Sequence, residues 1–153
     1  MINFSRRTLV CASLFSAATC IAYPAPTYEN AMAIAEEAHE IVARTGRWEK
    51  MPLQDRLEEL RKADALVERA RRTFGDAPAG PFGACWGTAV FAKEYASNLN
   101  SLALILAPGG QIHSRADLFA PPFNAFSFGE FYANCLHQIE ALNLAPKKVK
   151  NAR

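Results

Sequence analysis

Cysteine is the residue type in this sequence best able to do chemistry, and Cys85 is the first position to consider. It follows Gly83-Ala84 and precedes Trp86, at the start of a segment with helical periodicity. A thiol at a helix N-terminus has its thiolate stabilised by the unpaired backbone amides and by the helix dipole. Cys85 is therefore a candidate nucleophile, and together with Cys135 it is also a candidate metal ligand or disulfide partner.

The segment Gly83 to Trp86 resembles the second half of the papain-type nucleophile signature. The resemblance covers four residues and implies a cysteine hydrolase that uses Cys85. Phe82 stands where that signature has its earlier cysteine, and no histidine follows at the interval of about 130 residues that the family needs. His137 matches the shorter interval of cell-wall peptidases, but these place their histidine on a sheet, which this sequence does not predict. We expect no catalytic residues and keep the cysteine hydrolase as the minor alternative.

Two patterns could indicate a metal site, and neither has the required geometry. Cys135 and His137 lie two residues apart, so on a helix they point about 200° apart and cannot hold one ion together. Glu36-Glu37-Ala38-His39 matches the Glu-x-x-His pattern of di-iron bundles, which needs a second copy that this chain lacks. Glu36 also lies about 180° from the apolar side of its helix. We expect no metal and no cofactor.

The N-terminus has the features of an export signal. Residues 1–22 combine a short basic region, an apolar region and a small-x-small cleavage site at Cys20-Ile21-Ala22, which predicts a signal peptide. Acylation of Cys20 is disfavoured because Ala17-Ala18-Thr19 is a poor lipobox. We expect a periplasmic or secreted protein without a membrane span after cleavage. Removing 22 of the 153 residues leaves 131, enough for a single helical domain over 23–153.

Export changes the counts of charges and of cysteines. The predicted signal peptide contains two of the 17 Lys and Arg residues and none of the 15 acids, so the remaining domain has 15 of each. A neutral domain has no electrostatic reason to bind nucleic acid, and the basic tail at 145–153 is interpreted as a solvated, flexible end. Two of the four cysteines are also lost, and an even pair in an exported protein favours a Cys85–Cys135 disulfide.

The apolar pattern predicts an all-α protein, a four-helix bundle with helices at about 28–47, 52–74, 84–106 and 127–144. The third helix has an alanine-rich seam, which implies close approach of a neighbouring helix or of a second chain. Ser127 and Glu130 form a capping-box signature at the start of the fourth helix. Residues 107–126 are predicted to form a long ordered loop, because three phenylalanines within it should dock on the bundle or on a partner.

Geometry links the predicted disulfide to this loop, because Cys85 lies far from the end of its predicted helix and Cys135 lies near the start of its own. An antiparallel fourth helix must then begin about 20 Å back along the third, which a draped loop allows. The bridge would contribute about 4 kcal/mol by restricting the unfolded chain.

These expectations favour a non-catalytic exported binding protein. In architecture the predicted bundle is similar to the small, helical, disulfide-bonded immunity proteins that act against toxins that cleave the bacterial cell wall. That similarity implies a secreted toxin as partner, and the alternative is an envelope accessory component or chaperone-like protein. A homodimer is left open. The candidate contact residues lie in the loop and on the acidic side of the first helix: Gln111, His113, Arg115, Asp117, Phe119, Phe123, Glu36 and Glu40.

Overall fold

The computed structural model of the protein describes residues 26–75, 82–111 and 116–144, and at 116, 117 and 142–144 it describes the backbone alone. This part of the chain forms four α-helices, α1 (Tyr28–Thr45), α2 (Leu53–Phe74), α3 (Gly83–Ile105) and α4 (Ala116–Leu144), with a short 3-10 helix at Trp48–Lys50. The predicted all-α four-helix bundle is confirmed. The predicted signal peptide (1–22) and basic tail (145–153) lie outside the described residues.

The ends of α1 and α2 follow from local sequence. The side chain of Thr27 accepts a hydrogen bond of 3.2 Å from the backbone N–H of Asn30, which caps the start of α1. Pro52 directly precedes α2, where its missing N–H costs no helical hydrogen bond. Gly75 follows α2 with a φ of 84°, a left-handed conformation that glycine adopts without strain. Both helices therefore end within two residues of the predicted limits.

The helices pack as a rhomboid. In the described part of the chain, α1 and α3 contact each other and both remaining helices, whereas α2 and α4 hardly touch. The outer helices α2 and α4 therefore lie on opposite sides of the central pair. The core between the helices consists largely of small side chains. One buried cluster contains two alanines of α2 and three of α3: Ala63, Ala70, Ala89, Ala92 and Ala96. The alanine seam is therefore buried by packing between helices of one chain.

The predicted loop at 107–126 is wrong over most of its length, because α4 begins at Ala116. The prediction failed because of Pro121 and Pro122, which usually break a helix. They lie at the sixth and seventh positions of α4, so they remove only two hydrogen bonds, to the carbonyls of residues 117 and 118. The capping-box prediction is wrong for the same reason, since Ser127 lies buried in the middle of α4.

The disulfide joins α3 to α4, with a Cα–Cα distance of 4.5 Å between Cys85 and Cys135. Cys85 lies 20 residues before the end of α3 at Ile105, and Cys135 lies 19 residues after the start of α4 at Ala116. The two helical arms are therefore nearly equal, about 30 Å each. A longer fourth helix, instead of a draped loop, satisfies the geometry that the disulfide requires.

Candidate interaction surface

The sulfur of Cys85 is bonded, so it is neither a free thiol nor a thiolate. Both cysteines are fully buried, in a cluster with Ala31, Ala35 and Ile139. A bonded sulfur cannot attack a substrate or bind a metal without first being reduced. The cysteine-hydrolase alternative therefore lacks its nucleophile in this oxidised state.

The residues of the two patterns considered for metal binding do not converge, because Cys135 is buried in the disulfide while the glutamate and histidines lie on the surface. Glu36 is exposed on α1, while the ring of His39 stacks on that of Tyr132 with their centroids 5.3 Å apart. The side chain of His137 is 81% exposed and lies 3.9 Å from a carboxylate oxygen of Glu140. Among the described residues, no group of three His, Cys, Asp or Glu side chains is placed to hold an ion.

Three phenylalanines of α4 form an exposed aromatic surface. Phe119, Phe123 and Phe126 are 65%, 65% and 66% exposed. Their spacing of four and three residues places them on one side of α4, about 180° from its buried side, which includes Phe128, Cys135 and Ile139. We call these three residues the α4 aromatic face. We expected these rings to dock on the bundle or on a partner, and they do not dock on the bundle, because they project into solvent.

Small and apolar residues flank the α4 aromatic face on one side. Leu118 is 40% exposed, and Pro122, Gly129 and Ala133 are exposed along the same edge of α4. A Cβ atom added at Gly129 would meet no atom of the described chain within 4 Å. Gly87 is different, because a Cβ there would overlap the ring of Phe131 on α4. Packing within the chain therefore requires a glycine at position 87 but not at position 129.

The acidic side of α1, the other predicted contact region, is partly neutralised. Glu40 pairs with Arg44 at 3.0 Å, and Glu37 pairs with Arg69 of α2. Glu36 remains exposed. The surface is therefore a mixed, solvated one with little excess of negative charge.

An ion-pair network that was not predicted from the sequence joins α1 to α2. The carboxylate of Glu59 is buried, 5% exposed, and accepts hydrogen bonds from Arg44 at 3.0 Å and from Lys62 at 2.9 Å. Burial raises the pKa of Glu59, but the hydrogen bonds from Lys62 and Arg44 outweigh burial, so its pKa lies below its ordinary value. In the sequence, the one indication of this network is that Glu59 directly precedes Leu60 and so lies beside the apolar side of α2.

A second ion pair, between helices α2 and α3, involves the carboxylate of Asp64. The ammonium of Lys93 on α3 lies 2.8 Å from a carboxylate oxygen of Asp64 on α2. Arg71 of α2 pairs with Glu68 of the same helix at 3.0 Å. Both pairs are consistent with a structural role.

The predicted contact residues do not form one surface. Phe119 and Phe123 lie together on the α4 aromatic face, while Glu36 and Glu40 lie on α1. Gln111 is exposed just after α3. Asp117 lies in the first turn of α4 and its side chain is not described; His113 and Arg115 lie outside the described residues. Phe126 completes the face, and its spacing from Phe119 and Phe123 was the signal that it belongs there.

The described surface has one cleft worth noting, at the turn between α1 and α2. It has a volume of about 350 Å³ and is lined by Arg44, Arg47, Lys50, Met51, Pro52 and Asp55. Arg44 is already engaged by Glu40 and Glu59. The lining therefore combines cations with a carboxylate.

Among the described helices, none combines the length and the apolar composition that a membrane-spanning helix needs. The chain matches no family model, no curated protein and no solved structure.

Proposed function

We propose that the chain is a non-catalytic exported binding protein that binds another protein through the α4 aromatic face. The observation that carries the proposal is the exposure of three phenylalanines, each about 65% exposed, on the side of α4 opposite the core. Since a phenylalanine buries about 200 Å² when fully covered, the face presents roughly 400 Å² of aromatic surface. Exposed apolar patches of this size on a monomer are often functional.

The shape of the face favours a protein partner. The three rings stand on the outside of a helix and form a convex ridge, whereas small-molecule sites are concave. Aromatic anchors at i, i+4 and i+7 are the pattern by which one helix docks on another protein. Glu130, His137 and Glu140 continue the same exposed side toward the end of α4 and would form a polar rim.

Two narrower versions follow from the sequence analysis. In the first, the chain is an immunity protein and the ridge plugs the cleft of a cell-wall-degrading toxin in the periplasm. In the second, it is an envelope accessory component or a chaperone-like protein. The ridge replaces the predicted loop as the contact surface in either version.

The test of the proposal is a comparison of three chains by affinity capture from an envelope extract. A variant with Phe119→Ser, Phe123→Ser and Phe126→Ser should fold normally, because its changes are on the surface, and should lose the captured partner. Leu57→Ser is the matched control, because Leu57 is an exposed apolar residue of α2. Retention of the same partner by the triple variant would disprove the proposal.

The stoichiometry of the captured complex separates the versions. A tight one-to-one complex with a peptidoglycan-cleaving enzyme would support the immunity protein. Weak capture of many unfolded chains would support the chaperone-like alternative.

A further inference from the structure

We propose that the partner of the α4 aromatic face is a second copy of this chain, joined in an antiparallel, two-fold symmetric pair of α4 helices. The inference rests on the proposed function, since it assumes that this face binds protein. It names the occupant of the face and the register of the contact.

The first argument is that the face is complementary to itself. A two-fold interface brings the same patch of both copies together, so it needs ridges and grooves within one patch. On α4 the aromatic ridge runs beside the small exposed residues Pro122, Gly129 and Ala133. If Phe126 lies on the two-fold axis, Phe123 of one copy lies opposite Gly129 of the other, and Phe119 lies opposite Ala133. Each of these rings then meets a small residue.

The second argument is the choice of glycine at position 129. A glycine inside a helix costs about 1 kcal/mol relative to alanine. Nothing in the described chain lies near enough to require a missing side chain there, since a Cβ would meet no atom within 4 Å. Close approach of an aromatic ring from a second α4 gives the glycine a physical reason. Gly87 already makes room for an aromatic ring within one chain, because the ring of Phe131 occupies the space that a side chain at position 87 would need.

The third argument is the charge of the segment. Residues 118–129 form three turns of α4 and contain no ionisable side chain. The exposed side of α2, by comparison, carries charged residues along its whole length, among them Glu58, Lys62, Glu68 and Arg72. In the proposed register the contact extends to Ala133 and includes one charged residue, Glu130, which lies opposite Pro122 of the other copy. The two Glu130 residues are then about 12 Å apart along the helix axis, so two copies can meet with little like-charge repulsion.

The fourth argument is the area available. The six phenylalanines of a pair would cover roughly 800 Å² of aromatic surface, taking about 200 Å² for each fully exposed ring. A stable interface buries about 1,200–2,000 Å² in total. Leu118, Pro122 and Ala133 of both copies, with the polar rim, supply the remainder.

The test is sedimentation equilibrium of the exported, disulfide-bonded chain over a wide range of protein concentration. We expect the mass of two chains at high concentration and a reversible shift to one chain on dilution. Gly129→Gln should weaken self-association at least tenfold, because the new side chain takes the space that the ring of Phe123 of the other copy needs. Glutamine is a better helix former than glycine, so the variant should be at least as well folded.

The matched control is Ala65→Gln, which adds the same side chain at an exposed position of α2 and should leave self-association unchanged. A wild-type chain that is monomeric at every concentration would overturn the inference, as would a dimer that Gly129→Gln leaves unchanged. If the chain is monomeric but still captures another protein in a phenylalanine-dependent way, the proposed function stands and only this inference fails. If both results are negative, both fail.

Discussion

Cys85 and Cys135 are separated by 50 residues in the sequence, and the bond between them restricts the unfolded chain. On the chain-entropy model, a closed loop of this length contributes about 4 kcal/mol. We expect the variant Cys85→Ala/Cys135→Ala to lose about that amount, measured as the free energy of unfolding in urea. A loss below about 1 kcal/mol would contradict the structural role of the disulfide.

The same bond makes a chemical prediction. Intact mass after treatment with an alkylating reagent should show no labelling of either cysteine until the chain is unfolded and reduced. Labelling of Cys85 in the native, non-reduced chain would return it to the list of candidate nucleophiles.

The free energy of unfolding should depend on pH through the carboxyl group of Glu59. Its pKa is lower in the folded chain than its ordinary value of 4.5, because the hydrogen bonds from Lys62 and Arg44 outweigh the effect of burial. A group with a depressed folded pKa contributes stability above its unfolded pKa and loses it as the pH falls through the folded pKa. The free energy of unfolding should therefore fall as the pH drops below about 4.5.

We expect Glu59→Gln to reduce the free energy of unfolding by about 1–2 kcal/mol near pH 7, the value of a charged hydrogen bond discounted for its partly exposed partners. The loss should shrink as the pH is lowered. Glu68→Gln is the control, because Glu68 also pairs with an arginine but lies on the surface, so its effect should be smaller. An equal loss in both variants at every pH would contradict this account.

At the scale of the elements, α4 shows where sequence reasoning succeeded and where it failed. Its second half was predictable, because Phe128, Cys135 and Ile139 repeat at helical spacing on one side. Its first half was not, because Pro121 and Pro122 break the usual pattern of a helix. Here the apolar residues lie on the outer side, so the rule that apolar spacing marks a buried face gave no help. The candidate site therefore came from residue types and not from the predicted fold.

The two glycines on facing helices test how α3 and α4 pack. Gly87→Ala should destabilise the fold by about 1–3 kcal/mol, because the new methyl group must displace the ring of Phe131, which packs on Phe91. Gly129→Ala should instead stabilise a dilute, monomeric sample by up to about 1 kcal/mol. Thermal unfolding at low protein concentration measures both. Equal effects of the two substitutions would show that the contact between Gly87 and Phe131 does not constrain the packing.

At the scale of the whole molecule, the sequence predicted the helix number, the disulfide and the small-residue core, since each depends on local pattern or on cysteine count. It did not predict that α2 and α4 occupy opposite sides of the bundle, with charge on one outer surface and aromatic rings on the other. That arrangement depends on the contacts of all four helices. It leaves the aromatic rings of α4 exposed on a side of the helix that takes no part in the core.

The most direct measurement is photo-crosslinking, with a photoreactive phenylalanine analogue placed at position 123 in the full chain inside the cell. The same analogue at position 65, on the exposed surface of α2, is the control. If the α4 aromatic face is the binding surface, position 123 should give a discrete crosslinked adduct and position 65 should give none. An adduct from position 65 with none from position 123 would contradict the account.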